Sequence, residues 1–119
     1  NEFEEAFAEY VGAKYACSAN SASSLLYLSM LQYQKATVSL PSTIPIVVPN
    51  IIVNTNNIID FRDDTSWVGH CYNLHDNIYD SAQEVTKNQF KKHSHNDIVI
   101  FSFYPTKPVG SCDGGMVVT

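Results

Sequence analysis

Short apolar runs, several of them rich in β-branched residues, recur along this chain and alternate with stretches of helical spacing. "KYACSA", "TVSLP", "NIIDF" and "DIVIFSF" each have the length of a single strand, and "GGMVVT" closes the series. "EFEEAFAEYVG" places Phe3, Phe7, Tyr10 and Val11 at helical spacing, with acids at its start and Gly12 where a helix-terminating glycine belongs. "SSLLYLSMLQYQ" reads as a second helix with Leu25, Leu28 and Leu31 on or near one face. Strands alternating with helices predict an α/β fold, a mainly parallel sheet with flanking helices. Pro45 and Pro49 interrupt "STIPIVVPNIIVNTN", so a helix there has to begin or kink at a proline. "QEVTKNQFKKHSHN" is polar and partly helical, whereas "TSWVGHCY" and "NIYDSA" carry strand-like apolar residues.

One connection does not close on this scheme. Only Asn73 to Asp76 separate "WVGHCY" from "NIYD". Adjacent parallel strands need a crossover of about a dozen or more residues. Either these strands are not parallel neighbours, or the connection has been shortened, or residues are missing from it.

At 119 residues, with no internal repeat and no low-complexity linker, the chain reads as a single domain, 1–119. Its net charge of −5 argues against nucleic acid, and the pair Lys91 and Lys92 is too short to form a basic patch. No apolar run approaches the about 18 residues of a membrane span. The first residues lack the basic and apolar regions of a signal peptide. Three cysteines with no CxxC spacing fit reduced thiols and a cytoplasmic location.

Three strand ends carry residues capable of chemistry. A small polar loop, "NSAS", lies between a strand and a helix, so backbone N–H groups and a helix N-terminus face whatever sits there, which suits a phosphate. Asp80 ends the run "NIYD", and Lys107 follows "DIVIFSF". Open α/β sheets bind ligands at such carboxyl ends. Each feature alone is ordinary: Ser-rich helix starts are usually N-caps, strand-end aspartates often cap helices, and loop lysines are mostly solvated. Together they match pyridoxal phosphate, which needs an amine for its aldehyde, a carboxylate for its ring nitrogen and donors for its phosphate.

The residues around Lys107 sharpen this. Phe101-Ser102-Phe103, Lys107 and Asp113-Gly114-Gly115 resemble the Schiff-base segment of the DegT/DnrJ/EryC1/StrS family of pyridoxal-phosphate aminotransferases. "YDSAQEV" resembles that family's acid-Asp-x-Ala-Gln segment, and "NSASSLLYLSM" its phosphate loop. "VSLPS" is similar to its Val-x-x-Pro-Ser strand end, and "GHCY" to a His-x-Tyr segment ahead of the aspartate. The resemblance implies the large-domain architecture of fold-type-I enzymes and a homodimer. It implies transfer of an amino group, from glutamate or glutamine, to a nucleotide-linked keto sugar. Under it, Lys107 is the Schiff-base lysine and proton shuttle, Asp80 bonds the pyridinium nitrogen, and Gln83 lies near the ring oxygen. Ser102 touches the phosphate, and Ser21, Ala22 and Ser23 form the phosphate loop. No metal is implied. Sugar dehydratase relatives carry histidine at the lysine position, so Lys107 favours transamination.

The departures are specific. Ala22 and Ser23 replace the loop's glycine and threonine, and Tyr79 replaces the acid before Asp80. "TIPIVV" lacks the aromatic that packs on the cofactor ring in the family. The segment between "DFRDD" and "YDSAQ" is shortened, and the family's small C-terminal domain lies outside this sequence. Two expectations therefore stand: part of an aminotransferase, or a shortened non-catalytic relative that binds a phosphate or a partner.

Overall fold

The computed structural model describes residues 1–119. Helix α1 spans Glu2–Val11. The Asn1 side chain accepts the Glu4 N–H at its start, three acids occupy its first turn, and Gly12 ends it at φ 77°. Strand β1 (Ala16–Ala19) leads through Ser21 into α2 (Ala22–Met30). Strand β2 is Thr37–Pro41 and α3 is Val47–Asn54. Pro49 sits in the first turn of α3, where its missing N–H removes no helical bond. Then follow β3 (Ile58–Arg62), β4 (Tyr72–His75), β5 (Ile78–Asp80), a 3₁₀ turn at Gln89–Lys92, β6 (Ile98–Ser102) and β7 (Gly115–Val118).

The main sheet has the order β1-β7-β6-β5-β4, and β2 and β3 form a separate parallel pair with β2 packed beside β4. The α/β class expected from the sequence holds, but the sheet is mixed rather than mainly parallel. Only β5–β6 and β2–β3 run parallel, while β1–β7, β6–β7 and β4–β5 are antiparallel. The short connection noted above is the reason for one reversal. β4 and β5 form a hairpin in which His75 opposes Ile78, and Asp76 makes the turn at φ 50°. Aspartate tolerates this left-handed conformation better than most residues. The first of the three alternatives is therefore the observed one. "TSWVGHCY" is strand only from Tyr72, because residues 66–69 form turns.

The sheet is covered on both faces. Leu25, Leu26, Met30, Val48, Ile51 and Ile52 from α2 and α3 pack over one face with Val38, Leu40, Ile78 and Ile100. Phe7 and Val11 of α1 pack over the other with Val99, Phe101, Phe103 and Val118. The Phe7 ring stands edge-on to Phe101 at 5.1 Å and to Phe103 at 5.4 Å. Strand β6 alternates between the two cores, which explains why residues 98–101 are apolar throughout rather than at every second residue.

Candidate active site

The ladder register fixes which residues share one edge of the sheet. Ala19 opposes Gly115, Gly115 opposes Ser102, Ile100 opposes Asp80, and Asp80 opposes Tyr72. The carboxyl ends of β1, β5 and β6 thus lie side by side, and a cavity of about 500 Å³ opens there. Ser21, Ala22, Ser23, Asp80, Gln83, Ser102 and Lys107 all line it. Every site residue read from the sequence therefore reaches one cavity.

Helix α2 enters over β6 and β7. Ser21 caps it, its hydroxyl accepting the Ser24 N–H at 3.1 Å while its carbonyl accepts from Leu25. Ala22 and Ser23 remain as the first-turn donors that the cap does not use. Alanine is tolerated at position 22 because the residue has no positive φ there. The close approach comes from Gly115 instead: a Cβ on it would stand 2.4 Å from the Ala22 backbone nitrogen. β7 thus runs directly beneath the start of α2.

Ser102 is buried, and its Oγ accepts the Tyr104 N–H at 3.4 Å. Lys107 stands in the loop after β6, half-buried, its backbone N–H bonded to the Tyr104 carbonyl. The Oε1 of Gln83 accepts the Gly69 N–H at 2.6 Å, which ties the turn at 66–69 to the cavity wall.

Asp80 is the most constrained group. The Tyr72 hydroxyl donates to Oδ2 at 2.8 Å, and the Ala82 N–H donates to Oδ1 at 2.9 Å. Burial pushes the Asp80 carboxyl above the usual range; the Ala82 and Tyr72 donors and the positive charge of Lys107 act against it. Burial and the charge of Asp80 together push the Tyr72 hydroxyl up, so it stays a donor.

Two features were not read from the sequence as parts of the site. The bond between Tyr72 and Asp80 depends on the hairpin. Trp67, the single tryptophan, is buried in the cavity wall, with its indole N–H donating to Thr43 Oγ1 at 3.2 Å. It brings aromatic surface to a cavity whose "TIPIVV" segment contributes only Pro45, Val47 and Val48, Ile44 being buried in the core. No local pattern marks it, because it lies in a turn.

Comparison with known proteins agrees with this geometry. A sequence model of the DegT/DnrJ/EryC1/StrS aminotransferase family matches residues 1–61 and 78–119 and passes over the stretch that contains the turn and β4. The chain is 28% identical over 163 aligned positions to the UDP-4-amino-4,6-dideoxy-N-acetyl-beta-L-altrosamine transaminase of Campylobacter jejuni, covering 100% of this chain and 43% of the relative. Thus the chain spans less than half the length of the curated relatives it matches. The structure is similar to NtdA of Bacillus subtilis with bound PMP, at TM-score 0.76 and 15% identity, over 99% of this chain and 36% of that one. It is also similar to the Escherichia coli GDP-4-keto-6-deoxy-D-mannose-3-dehydratase with hydrated PLP, at TM-score 0.67 and 13% identity, over 99% and 42% of the two chains. Solved structures described as an aminotransferase (Psychrobacter cryohalolentis) and as a dehydratase share the fold, so the fold alone does not choose the reaction. With both of its flanking parts matched by the family model, the chain belongs to the DegT/DnrJ/EryC1/StrS aminotransferase family.

Proposed function

We propose that residues 1–119 form a single pyridoxal-phosphate-binding domain of an aminotransferase that moves an amino group, from glutamate or glutamine, to a nucleotide-linked keto sugar. The observation that supports this best is the meeting of Lys107, Asp80 and the start of α2 in one cavity at the carboxyl ends of the strands. The donor set fits the cofactor. Uncapped N–H groups of Ala22 and Ser23 and the Ser102 hydroxyl suit a phosphate, a buried carboxylate suits a ring N–H, and an amine suits an aldehyde.

When bound, pyridoxal phosphate supplies an aldehyde that carries the amino group and a ring that withdraws electrons. The chain does the rest. Lys107 would hold the aldehyde through its amine, and as a free amine it would serve as a base at the substrate carbon. Asp80, kept in place by Tyr72 and Ala82, holds the proton on the ring nitrogen. Gln83 has its carbonyl oxygen committed to Gly69, which leaves its NH₂ to donate to the ring oxygen. Trp67, Val48 and Ile100 exclude water from the cavity wall.

Adding pyridoxal phosphate is expected to produce a visible absorption band. Borohydride should fix the cofactor at Lys107, as located by peptide mapping, and Lys107→Ala should abolish both signals. A folded chain that shows neither overturns the proposal. A second reading draws on the gap in the family match: a shortened relative that binds phosphate compounds without turnover. It is distinguished by phosphate binding that survives Lys107→Ala, with no half-reaction on glutamate. The proposal extends to a homodimer in the cytoplasm. Ile46, Ile58 and Phe61 are exposed, which is compatible with self-association, and sedimentation equilibrium tests it. No helix is long and apolar enough to cross a membrane.

A further inference from the structure

We propose that Tyr72 is a positioning residue for the cofactor's ring nitrogen: its hydroxyl fixes the Asp80 carboxylate in the orientation and ionised form that this contact requires. The inference rests on reading the cavity as a pyridoxal-phosphate site. Tyr72 closes the "GHCY" segment and lies in the stretch that the family model passes over.

The geometry is direct. Tyr72 and Asp80 are cross-strand partners in the β4–β5 hairpin, and the hydroxyl lies 2.8 Å from Oδ2. Oδ1 is taken by the Ala82 N–H, so each carboxylate oxygen has one donor and the group cannot swing. Tyr72 is itself held. Trp67 stands edge-on to its ring at 6.1 Å, and the Cys71 N–H donates to Glu84 Oε2 at 2.7 Å. With the Gly69 bond to Gln83, this pins the backbone ahead of Tyr72 to the segment that follows Asp80.

The chemistry gives the bond its purpose. Burial favours the neutral acid, yet only the carboxylate can hold a proton on a ring nitrogen. A hydroxyl donor stabilises the charged form. The charged groups that act on this pair are Lys107, after β6, and Arg62, at the end of β3; His70 and Asp113 also line the cavity.

The test is Tyr72→Phe in the full chain, with Asp80→Asn as its partner. Tyr72→Phe is expected to raise the Asp80 titration, followed by carboxyl carbon NMR without cofactor, by about one unit or more. It should weaken pyridoxal-phosphate retention, measured by equilibrium dialysis, by about tenfold. In an Asp80→Asn background the same substitution should change retention no further. Trp67 emission reports whether the wall beside residue 72 is intact. An unchanged Asp80 titration in a variant with native Trp67 emission overturns the proposal, as does an equal loss of retention in the Asp80→Asn background. Failure of the wild-type chain to bind pyridoxal phosphate overturns the cofactor reading instead, and the NMR titration still decides what Tyr72 does to Asp80.

Discussion

Asp80 carries a cost that the role proposed for it in the site would explain. Its pKa in the folded chain lies above the ordinary aspartate value of 3.8, chiefly through burial. Ionising it therefore works against folding. The chain is relatively more stable with Asp80 protonated, and that advantage is lost as pH rises through the folded-state pKa. Asp80→Asn should accordingly raise the urea midpoint of the cofactor-free chain at neutral pH and have little effect below about pH 3.8. The same variant should lose cofactor retention, so stability and binding move in opposite directions. Cys71 makes a second residue-level case. Burial pushes its thiol up to about 11, whereas Cys17 and Cys112 are exposed. Few Cys71 side chains are then thiolates at pH 8, so native alkylation should label Cys17 and Cys112 and reach Cys71 only after unfolding. Equal labelling of all three, read by mass spectrometry, contradicts this. Lys107 and Asp80 were legible in the sequence because each follows a recognisable apolar run, which fixes it at a strand end. Tyr72 as a partner of Asp80 was not, since the pairing exists only if β4 and β5 run antiparallel.

At the scale of elements, the contact between α2 and β7 carries the end of the site proposed to hold a phosphate. The polar loop before α2 was readable as a helix start, and "GGMVVT" as a strand. Their mutual contact was not readable, because it joins residues nearly a hundred positions apart. Gly115 has no Cβ to strike the Ala22 nitrogen, which a Cβ would approach to 2.4 Å. Backbone cannot give way as a flexible side chain can. Gly115→Ala should therefore destabilise the chain by about 1–3 kcal/mol in urea denaturation, the usual range for overpacking a tight site. It should also weaken phosphate binding, because moving α2 shifts the Ala22 and Ser23 N–H groups together. A variant of wild-type stability and affinity would show that the two elements are not locked. Strand directions were the least legible feature. Apolar runs locate strands, but direction depends on the connections, and the two-residue turn of β4–β5 admits only a reversal.

For the molecule as a whole, the decisive feature is that the two cores meet in one strand. Val99 and Phe101 of β6 point into the core beneath α1, and Ile100 points into the core beneath α2 and α3. The same strand ends in Ser102 and runs on towards Lys107, so the site hangs from the element that both cores hold. Unfolding should then be one cooperative transition rather than a separate loss of each layer. Phe101 is fully buried, and replacing it with alanine removes about 3–5 kcal/mol, a large share of the about 5–15 kcal/mol that stabilises a typical domain. A ligand that binds only the folded chain restores part of this: at a hundred times its dissociation constant it adds about 2.7 kcal/mol. Phe101→Ala should thus melt well below the wild type, in a single step seen alike by far-ultraviolet circular dichroism and Trp67 emission. Pyridoxal phosphate should raise that midpoint, and the rise should be much smaller when Lys107→Ala is added. If the two probes separate, with only part of the helical signal lost before Trp67 emission changes, the cores are independent. The site would then be held by α2 and α3 alone, with α1 a detachable cover.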